Sequence, residues 1–269
     1  TIPSHIPSHN QFIDSRNLKS QEYLVKINKW TEENLMELNA KKTKCMIFNF
    51  TKKHQFTTDL SLKNHRIEIV DQAKLLGLIL TSDLKWDQNT DFLVKDANRR
   101  MVMLRAASKF TSDKHVLKQI YFSRIRCKLE QSAAVWSSSL TKKNSDDLER
   151  VQKSAVRIIF GKPYESYSQT LKELGIMRLC ERREIICLKF AKNSLKLNNF
   201  KRLFSEHVNH HDMKTRKKEK YEVSKCFGKR HEISSIPSMQ KLLNRDYFKQ
   251  KKALKSLLSP TNFAPVIYC

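Results

Sequence analysis

The spacing of hydrophobic positions changes along this chain and divides it into regions. Over positions 18–38 they recur every three to five residues, which predicts a helix with one buried stripe. Asn39 is predicted to end that helix, and residues 1–16, rich in Pro, Ser and His, are predicted to form an irregular leader. The predicted stripe consists of Leu24, Ile27, Trp30, Leu35 and Leu38.

Three short apolar runs follow this helix. They cover positions 45–50, 66–70 and 75–80; the second alternates apolar with polar residues, and the third is almost continuously apolar. Runs of this length and composition predict strands. The sequence therefore predicts a small antiparallel sheet packed on one helix.

Beyond Trp86 the hydrophobic spacing becomes helical and stays so, which predicts four helices. Gly161 is predicted to end the third, and the fourth is predicted over 178–197. The predicted fold class is α+β, mainly α, with the sheet first and a helical bundle second. The inward positions are predicted to be Phe92, Leu93, Ala97, Met101, Leu104 and Ala107; Leu117, Tyr121, Ile125, Leu129, Ala133 and Trp136; Leu148, Val151, Ala155, Ile158 and Ile159; and Leu179, Ile186, Cys187, Phe190 and Ala191.

The charge of the chain indicates a polyanionic partner. Its 52 Lys and Arg residues against 27 Asp and Glu residues give a net charge of +25. A self-repelling excess of this size destabilises a compact state, so it usually reflects a polyanion, most commonly nucleic acid. Positions 201–255 hold 16 basic and six acidic residues, most densely at 214–221. This stretch is predicted to be either a phosphate-contacting arm or a solvated, partly disordered tail.

Four regions are therefore predicted: the leader at 1–16, a helix with a small sheet at 17–86, the helical bundle at 87–200 and a basic C-terminal tail at 201–269. The sequence contains no run of about 18 apolar residues and no secretory segment near Thr1, so no membrane partner is expected. Because the chain begins without Met, we expect it to be a piece of a longer protein.

The cysteines and histidines predict no metal site. Six scattered cysteines argue against a disulfide framework and a Cys-x-x-Cys knuckle, which favours an intracellular protein, nuclear or cytoplasmic. Cys180 and Cys187 lie seven apart on one predicted helix face and are expected to be buried thiols. A polar loop is the prediction for the remaining candidate ligands, whose spacing fits no compact zinc site: His207, His210, His211, Cys226 and His231.

Several short motifs follow one another in a fixed order. They are Trp30-Thr31-Glu32-Glu33-Asn34, Leu38-Asn39-Ala40-Lys41-Lys42-Thr43, Lys74-Leu75-Leu76-Gly77-Leu78-Ile79-Leu80, Asp83-Leu84-Lys85-Trp86, the run from Ile125 to Ser132 with Val135-Trp136, Leu148-Glu149-Arg150-Val151-Gln152-Lys153-Ser154-Ala155, and Arg182-Arg183-Glu184. In order and spacing they resemble the region after the active-site strands in reverse transcriptases of non-LTR (LINE- or jockey-like) retrotransposons. The resemblance covers approximately positions 30–243 and implies the end of a palm, a helical thumb and a basic tail.

The resemblance implies roles for two of these motifs. Lys42 would lie near the incoming triphosphate of an intact polymerase and assist departure of pyrophosphate. Residues 75–78 would form the primer-grip hairpin, with Gly77 allowing close approach of a backbone or the primer. The alternatives are that Lys41, Lys42 and Lys44 are exposed charges in a helix-to-strand connection, and that Gly77 is a bulge in a buried strand.

The carboxylates that would hold two catalytic metal ions are missing from the sequence. Polymerases of this kind place them in an aromatic-x-Asp-Asp turn. The only Asp-Asp pair here, Asp146-Asp147, follows Asn144 and Ser145 and is predicted to lie in the first turn of an amphipathic helix. We therefore expect no catalytic residue and no cofactor in this chain, which alone is predicted to be inactive; Mg²⁺ is expected only for the intact polymerase.

The expected function is binding of an RNA–DNA template-primer duplex, with the missing upstream half of the polymerase as a further partner. Trp86 and Tyr121 are expected either in the core or stacked on the nucleic acid. One alternative is a helical protein-interaction module, which a wide apolar face on the helices over 92–197, unbalanced by a basic stripe, would distinguish. Another is a decayed retroelement product without independent function. The predicted nucleic-acid-binding residues are Lys41, Lys42, Gly77, Arg99, Arg100, Lys217 and Lys218.

Overall fold

Helices account for most of the described chain, and all of its strands precede Asp87, which confirms the predicted mainly α class with small antiparallel sheets. The computed structural model describes residues 9–50, 58–161, 164, 166–206 and 219–257, with side chains described from position 18 to position 250 of these ranges. The chain divides into two compact units, Thr1–Asn89 and Thr90–Cys269. Among the residues that the structure describes, no helix has the length and apolar character required to span a bilayer.

The described residues of the first unit form one long helix and six short strands. Helix α1 covers His9–Glu33. The strands are β1 (Lys44–Cys45), β2 (Ser61–Leu62), β3 (His65–Arg66), β4 (Glu68–Ile69), β5 (Gln72–Leu75) and β6 (Leu78–Thr81).

Both predicted ends of the first helix are wrong. It begins at His9, inside the predicted irregular leader, because no proline follows Pro7 until position 163; residues 1–8 lie outside the described part. It ends at Glu33 instead of Leu38, because Leu35 adopts a left-handed backbone with φ of 56°. The Leu35 and Met36 amides then donate to the carbonyls of Glu32 and Thr31, in the manner of a Schellman cap.

The predicted buried stripe on α1 is also wrong. Ile27, Trp30 and Leu35 are exposed, whereas Thr31 is buried. The reason is a polar contact: Gln21 Nε2 donates to the Ser61 carbonyl at 2.9 Å, and the Ser61 amide donates to Gln21 Oε1 at 3.1 Å. This pair turns the polar side of α1 towards β2 and leaves part of its apolar side uncovered.

Three two-stranded sheets replace the single antiparallel sheet that the sequence predicts. Strand β1 pairs with β4 in parallel, which the prediction did not include, and the predicted strand over 45–50 is reduced to Lys44–Cys45. The β2–β3 and β5–β6 pairs are antiparallel hairpins with two-residue loops. Short strands interrupted by tight turns satisfy few backbone groups in any one ladder, so the described strands do not join into a continuous sheet.

The predicted strand over 75–80 is a hairpin. Leu75 pairs with Leu78, which leaves Leu76 and Gly77 as the loop. Their φ angles of 50° and 84° are both positive, as a type I′ turn requires. The alternative of a glycine bulge in a continuous strand is therefore wrong.

The second unit is helical. Helix α2 (Asp87–Phe110) begins in the first unit and continues into the second. The other helices are α3 (Lys114–Ile120), α4 (Cys127–Leu129), α5 (Ala133–Trp136), α6 (Lys142–Phe160), α7 (Tyr167–Leu174), α8 (Leu179–Ser194), α9 (Asn198–Lys201), α10 (Lys229–Glu232) and α11 (Ser235–Leu257), with a π-helical segment at Tyr121–Arg126 and 3₁₀ turns at Ser137–Ser139 and Arg202–Phe204.

The second predicted helix of the bundle is broken, although its inward positions are correct. Leu117, Tyr121, Ile125, Leu129, Ala133 and Trp136 are all buried. Buried residues spaced by four drift around an α-helix of 3.6 residues per turn, and the wider π segment at Tyr121–Arg126 offsets that drift. Ser132, with φ of 51°, then ends the run before α5.

Helix α6 confirms the third predicted helix and its end at Gly161, but it begins earlier than expected. Thr141 is its N-cap and accepts a hydrogen bond from the Asn144 amide. Asp146-Asp147 therefore lies in the second turn, and the first-turn interpretation is wrong. Asp147 instead pairs with Arg150 at 2.8 Å, one helical turn on.

Helix α8 confirms the fourth predicted helix, but the burial of three of its residues differs from the prediction. Leu179, Cys187 and Ala191 are buried as expected, but Phe190 is exposed. Cys180 is exposed as well, so only Cys187 is the buried thiol that was predicted. The third error concerns Arg183, which is buried although the pattern gave it no inward position.

The predicted basic tail is part of the helical core where it is described. Helix α11 packs on α8 through a hydrophobic cluster. The cluster is composed of Cys187, Ala191, Phe204, Tyr221, Met239 and Leu243. The prediction of a partly disordered tail is therefore wrong over the packed part of α11. Apolar residues at helical spacing lie there among the many basic residues and form the buried side of the helix.

Candidate nucleic-acid interface

The segment after α1 holds two predicted site residues on an ordered turn. Asn39 accepts through its carbonyl from the Thr43 amide and Thr43 Oγ1, and through Oδ1 from the Lys42 amide at 3.1 Å. The Asn and Thr of this motif therefore form the turn, while the Lys41 and Lys42 side chains are exposed in a helix-to-strand connection. Such lysines are available to an anion without any rearrangement of the backbone.

A shallow cavity of about 390 Å³ adjoins this turn. Lys41, Lys63 and His65 line it together with Glu37. Lys63 is engaged by acids, since its Nζ lies 3.3 Å from Glu37 Oε1 and 3.8 Å from Glu32 Oε1. The cavity thus retains little excess positive charge, and Lys41 is its cation without an ion pair to the described residues.

Gly77 lies in the two-residue loop of the β5–β6 hairpin. Leu76, beside it, is 88 % exposed and Leu75 is 57 % exposed. A leucine with positive φ is strained, and such strain is found preferentially at functional positions. The tip therefore presents an apolar edge beside a glycine with positive φ.

The turn between β6 and α2 accounts for the Asp83-Leu84-Lys85-Trp86 motif. Asp83 Oδ1 accepts from Thr81 Oγ1 at 2.7 Å and from the Lys85 amide at 3.1 Å. Burial alone would raise the pKa of Asp83, but these hydrogen bonds and the Lys85 charge lower it to about 2. Trp86 is buried, and Asn89 Oδ1 accepts from the Ile79 amide at 3.1 Å, which fixes the start of α2 against β6.

One face of α2 carries a line of cations. Lys95, Arg99 and Lys109 are exposed and fall within about 80° of one another on the helical wheel. None of the three forms an ion pair with a residue of the described chain. Arg100, in contrast, is half-buried and donates to Asp96 Oδ2 at 3.0 Å, so its charge is neutralised within the helix. Of the predicted pair, Arg99 is the residue free to meet a phosphate.

The remaining predicted site residues fall elsewhere. Lys217 and Lys218 lie outside the described residues, as do His207, His210 and His211. Trp86 and Tyr121 are core residues, so the stacking alternative is wrong for both. Within the described ranges no group of three or more His, Cys, Asp or Glu side chains is arranged to hold a metal ion.

Comparisons with protein-family models, curated proteins and solved structures each found no match to this chain.

The Leu148 to Ala155 motif organises the interior of the second unit. Tyr121 OH donates to Gln152 Oε1, and Gln152 Nε2 donates to Tyr167 OH at 2.9 Å and to the Met177 carbonyl at 3.0 Å. Glu149 accepts from Tyr167 OH and from the Leu179 amide. Burial raises the pKa of Tyr121 and of Tyr167, so both hydroxyls remain donors. The polar residues of the motif therefore join α6 to α7 and α8.

The Arg182-Arg183-Glu184 motif also makes contacts within the second unit. Arg182 donates twice to the Glu130 carboxylate, Nε to Oε1 and Nη2 to Oε2, both at 3.0 Å. Glu184 Oε2 lies 3.2 Å from Arg245 Nη2. Arg183 is buried and donates to Ser145 Oγ at 2.9 Å. The sequence gave no signal that Arg183 is buried, because it is charged and hydrophobic periodicity assigns its position to the surface.

Proposed function

We propose that this chain is the end-of-palm and thumb part of a non-LTR retrotransposon reverse transcriptase, and that it binds an RNA–DNA template-primer duplex through phosphate contacts. The order of the motifs supports the family assignment, and the net charge of +25 supports a nucleic-acid ligand. The hairpin at 72–81 supports a primer-grip role for Gly77, and the exposed Lys41 and Lys42 support contacts to a phosphate chain.

The observation that carries the binding proposal is the cation line on α2. From Lys95 to Lys109 it extends about 21 Å at 1.5 Å per residue. That length matches several consecutive phosphates of one strand, and a rigid helix holds the charges in place without further ordering. Contacts of this kind carry no base information, so binding is expected to tolerate any sequence and to weaken with salt.

Filter binding of the full chain to an RNA–DNA hybrid across a salt series tests the proposal. Each phosphate contact contributes about 0.9 to the slope of log affinity against log salt on a duplex. The triple variant Lys95→Gln, Arg99→Gln, Lys109→Gln should make this negative slope shallower by about 2–3 and weaken binding at every salt concentration.

A matched control removes the same charge elsewhere. Lys172, Lys189 and Lys196 are exposed and have no ion pair with the described residues. Their replacement by Gln should change the slope by less than half as much. Equal slopes in the two triple variants, or affinity that is flat from low to moderate salt, would refute binding through α2.

The chain alone is proposed to lack polymerase activity, because its Asp-Asp pair lies within α6 and Asp147 is paired with Arg150. A primed RNA incubated with the purified chain, deoxynucleotides and Mg²⁺ should not be extended. If the parent chain extends the primer and the Asp146→Asn, Asp147→Asn variant does not, the proposal is contradicted directly.

The upstream half of the polymerase is proposed as the partner of the first unit. Tyr23, Ile27 and Trp30 lie along one side of α1 and are 65 %, 50 % and 55 % exposed. An apolar side of this kind on a helix is typical of a surface that another segment covers. The rival interaction module over 92–197 is less favoured, since exposed Val102 lies between Arg99 and Lys109 on α2 and the basic line balances it.

A further inference from the structure

Arg183 is a buried cation that forms no ion pair with a described residue. Its side chain on α8 is only 2 % exposed, and its Nη1 is buried with no hydrogen-bond partner among the described residues. Nη2 donates to Ser145 Oγ, and the guanidinium carbon lies 6.0 Å from the centre of the Trp136 ring. Burial lowers the pKa of this guanidinium below its ordinary value. An arginine remains charged even so, and a buried charge without a close partner is costly.

A cavity of about 700 Å³ lies against Arg183, bounded by the Ser137–Ser139 turn, the start of α6, α8 and α11. Hydroxyl groups dominate its polar lining, which contains Ser137, Ser138, Thr141, Ser145, Ser235 and Ser238. Ser138 Oγ is buried and has no hydrogen-bond partner in the described chain. Two separate donors, Arg183 Nη1 and Ser138 Oγ, are therefore left unsatisfied in the lining of one cavity, which is unusual for buried polar groups.

The other charges around the cavity leave a small positive excess. Lys241 pairs with Glu232 at 2.8 Å, and Arg245 pairs with Glu184 at 3.2 Å. Lys142 and Asp146, in the first two turns of α6, carry opposite charges, and both are exposed to water. Arg183 has no carboxylate within ion-pair distance among the described residues, and Glu149 and Glu130 attract its charge only from farther away. The first turn of α6, a 19-residue helix, adds the positive end of its dipole.

We propose that this cavity binds a phosphate monoester, whose phosphoryl oxygens accept from Arg183 Nη1 and Ser138 Oγ. A guanidinium matches phosphate oxygens in geometry and charge, and the bound anion would form the close ion pair that Arg183 does not make with the described residues. The cavity is larger than one phosphate group, and Leu140, Met239 and Leu242 give it an apolar wall for a small organic substituent. This site is separate from the cation line on α2 and does not depend on the proposed duplex binding.

Phosphorus NMR on the full chain at constant ionic strength tests the site, with inorganic phosphate and adenosine 5′-monophosphate as probes. Both should show saturable broadening, the monophosphate at lower concentration. Arg183→Met should weaken both by at least about thirtyfold. Lys189→Gln, which removes an exposed cation from the same helix, should leave them unchanged. Absence of saturable binding by either probe, or equal losses in the two variants, would overturn the proposal.

Arg183→Met is expected to fold, because it replaces a buried charge, whose desolvation is costly, with an apolar side chain of similar length. Ser138→Asp provides an independent variant, since it places a fixed negative charge in the cavity. It should abolish phosphate binding while circular dichroism and duplex binding stay as in the parent chain. Retained phosphate binding in a folded Ser138→Asp chain would also overturn the proposal, whereas loss of duplex binding alone would bear only on α2.

Discussion

The two units differ in what holds them together. Among the described residues the second unit buries 25 hydrophobic side chains, and the first buries four, Leu62, Ile67, Leu78 and Trp86. The first depends instead on polar contacts, such as those of Gln21 with Ser61 and of Asp83 with Thr81. Because hydrophobic burial is the dominant favourable contribution to folding, the second unit has the means to fold alone, and the first depends more on what covers it.

The largest expected effect compares a tryptophan in each unit. Trp136 is fully buried, and its replacement by Ala should lower the free energy of unfolding by about 3–5 kcal/mol. Trp30 is 55 % exposed, and its replacement should cost less than about 1 kcal/mol. Urea unfolding followed by circular dichroism measures both. Equal losses of unfolding free energy in the two variants would mean that Trp30 is as well packed as Trp136, which contradicts the difference between the units.

The next effect concerns the polar network inside the second unit. Tyr121→Phe removes the donor to Gln152 Oε1 and leaves a buried acceptor unsatisfied, which should cost about 1–3 kcal/mol. Tyr23→Phe changes an exposed tyrosine on α1 and serves as the control, with an expected change within about 0.5 kcal/mol. If Tyr121→Phe were as mild as the control, the network would be incidental to stability.

Two changes in the β5–β6 turn should have opposite signs. Gly77→Ala forces a side chain onto a φ of 84° and should destabilise the hairpin by about 1 kcal/mol. Leu76→Asn replaces a strained leucine with a residue favoured in type I′ turns and should stabilise it by about 0.5–1 kcal/mol. Amide hydrogen exchange at the hairpin resolves the two. A stabilising Gly77→Ala would contradict the turn assignment.

The smallest effect is a pH dependence confined to the first unit. Because the pKa of Asp83 is lowered from 3.8 to about 2, its carboxylate stabilises the turn above pH 3.8, and this contribution is lost as the pH falls to about 2. The effect is small, since the side chain is 44 % exposed and water screens it. Hydrogen exchange at the Lys85 amide should lose protection over that range in the parent chain and show no such step in Asp83→Asn.

Periodicity located the core of the second unit well. All six inward positions from Leu117 to Trp136 are buried, although the predicted helix is broken into several pieces. The positions survive because burial selects the residues and the backbone adjusts to them. Hydrophobic spacing therefore reports which residues face inwards more reliably than it reports where a helix begins and ends.

The errors arise where polar contacts decide the packing. Gln21 and its hydrogen bonds to Ser61 set the orientation of α1, and a glutamine on a helix carries no sequence signal for such a role. Helix α11 was hidden because Met239 and Leu243 lie among many basic residues, so overall charge outweighed local spacing. The candidate site shows the same limit: the sequence indicated Lys41, Lys42 and Arg99, which are exposed, and Gly77, which lies in the β5–β6 turn, but it gave no reason to expect a buried Arg183.

The π segment at Tyr121–Arg126 is a place where the second unit is expected to tolerate the loss of one residue. A wide turn of this kind holds more residues than the α-helix that would replace it. Removing one residue such as Ser123 would let the segment relax to an ordinary helix while Leu129 and Trp136 still face inwards. The same deletion inside α6 would rotate everything after it by about 100° and take Ile159 out of the interior. A single-residue deletion is thus expected to be absorbed in the π segment and to disrupt the packing of α6.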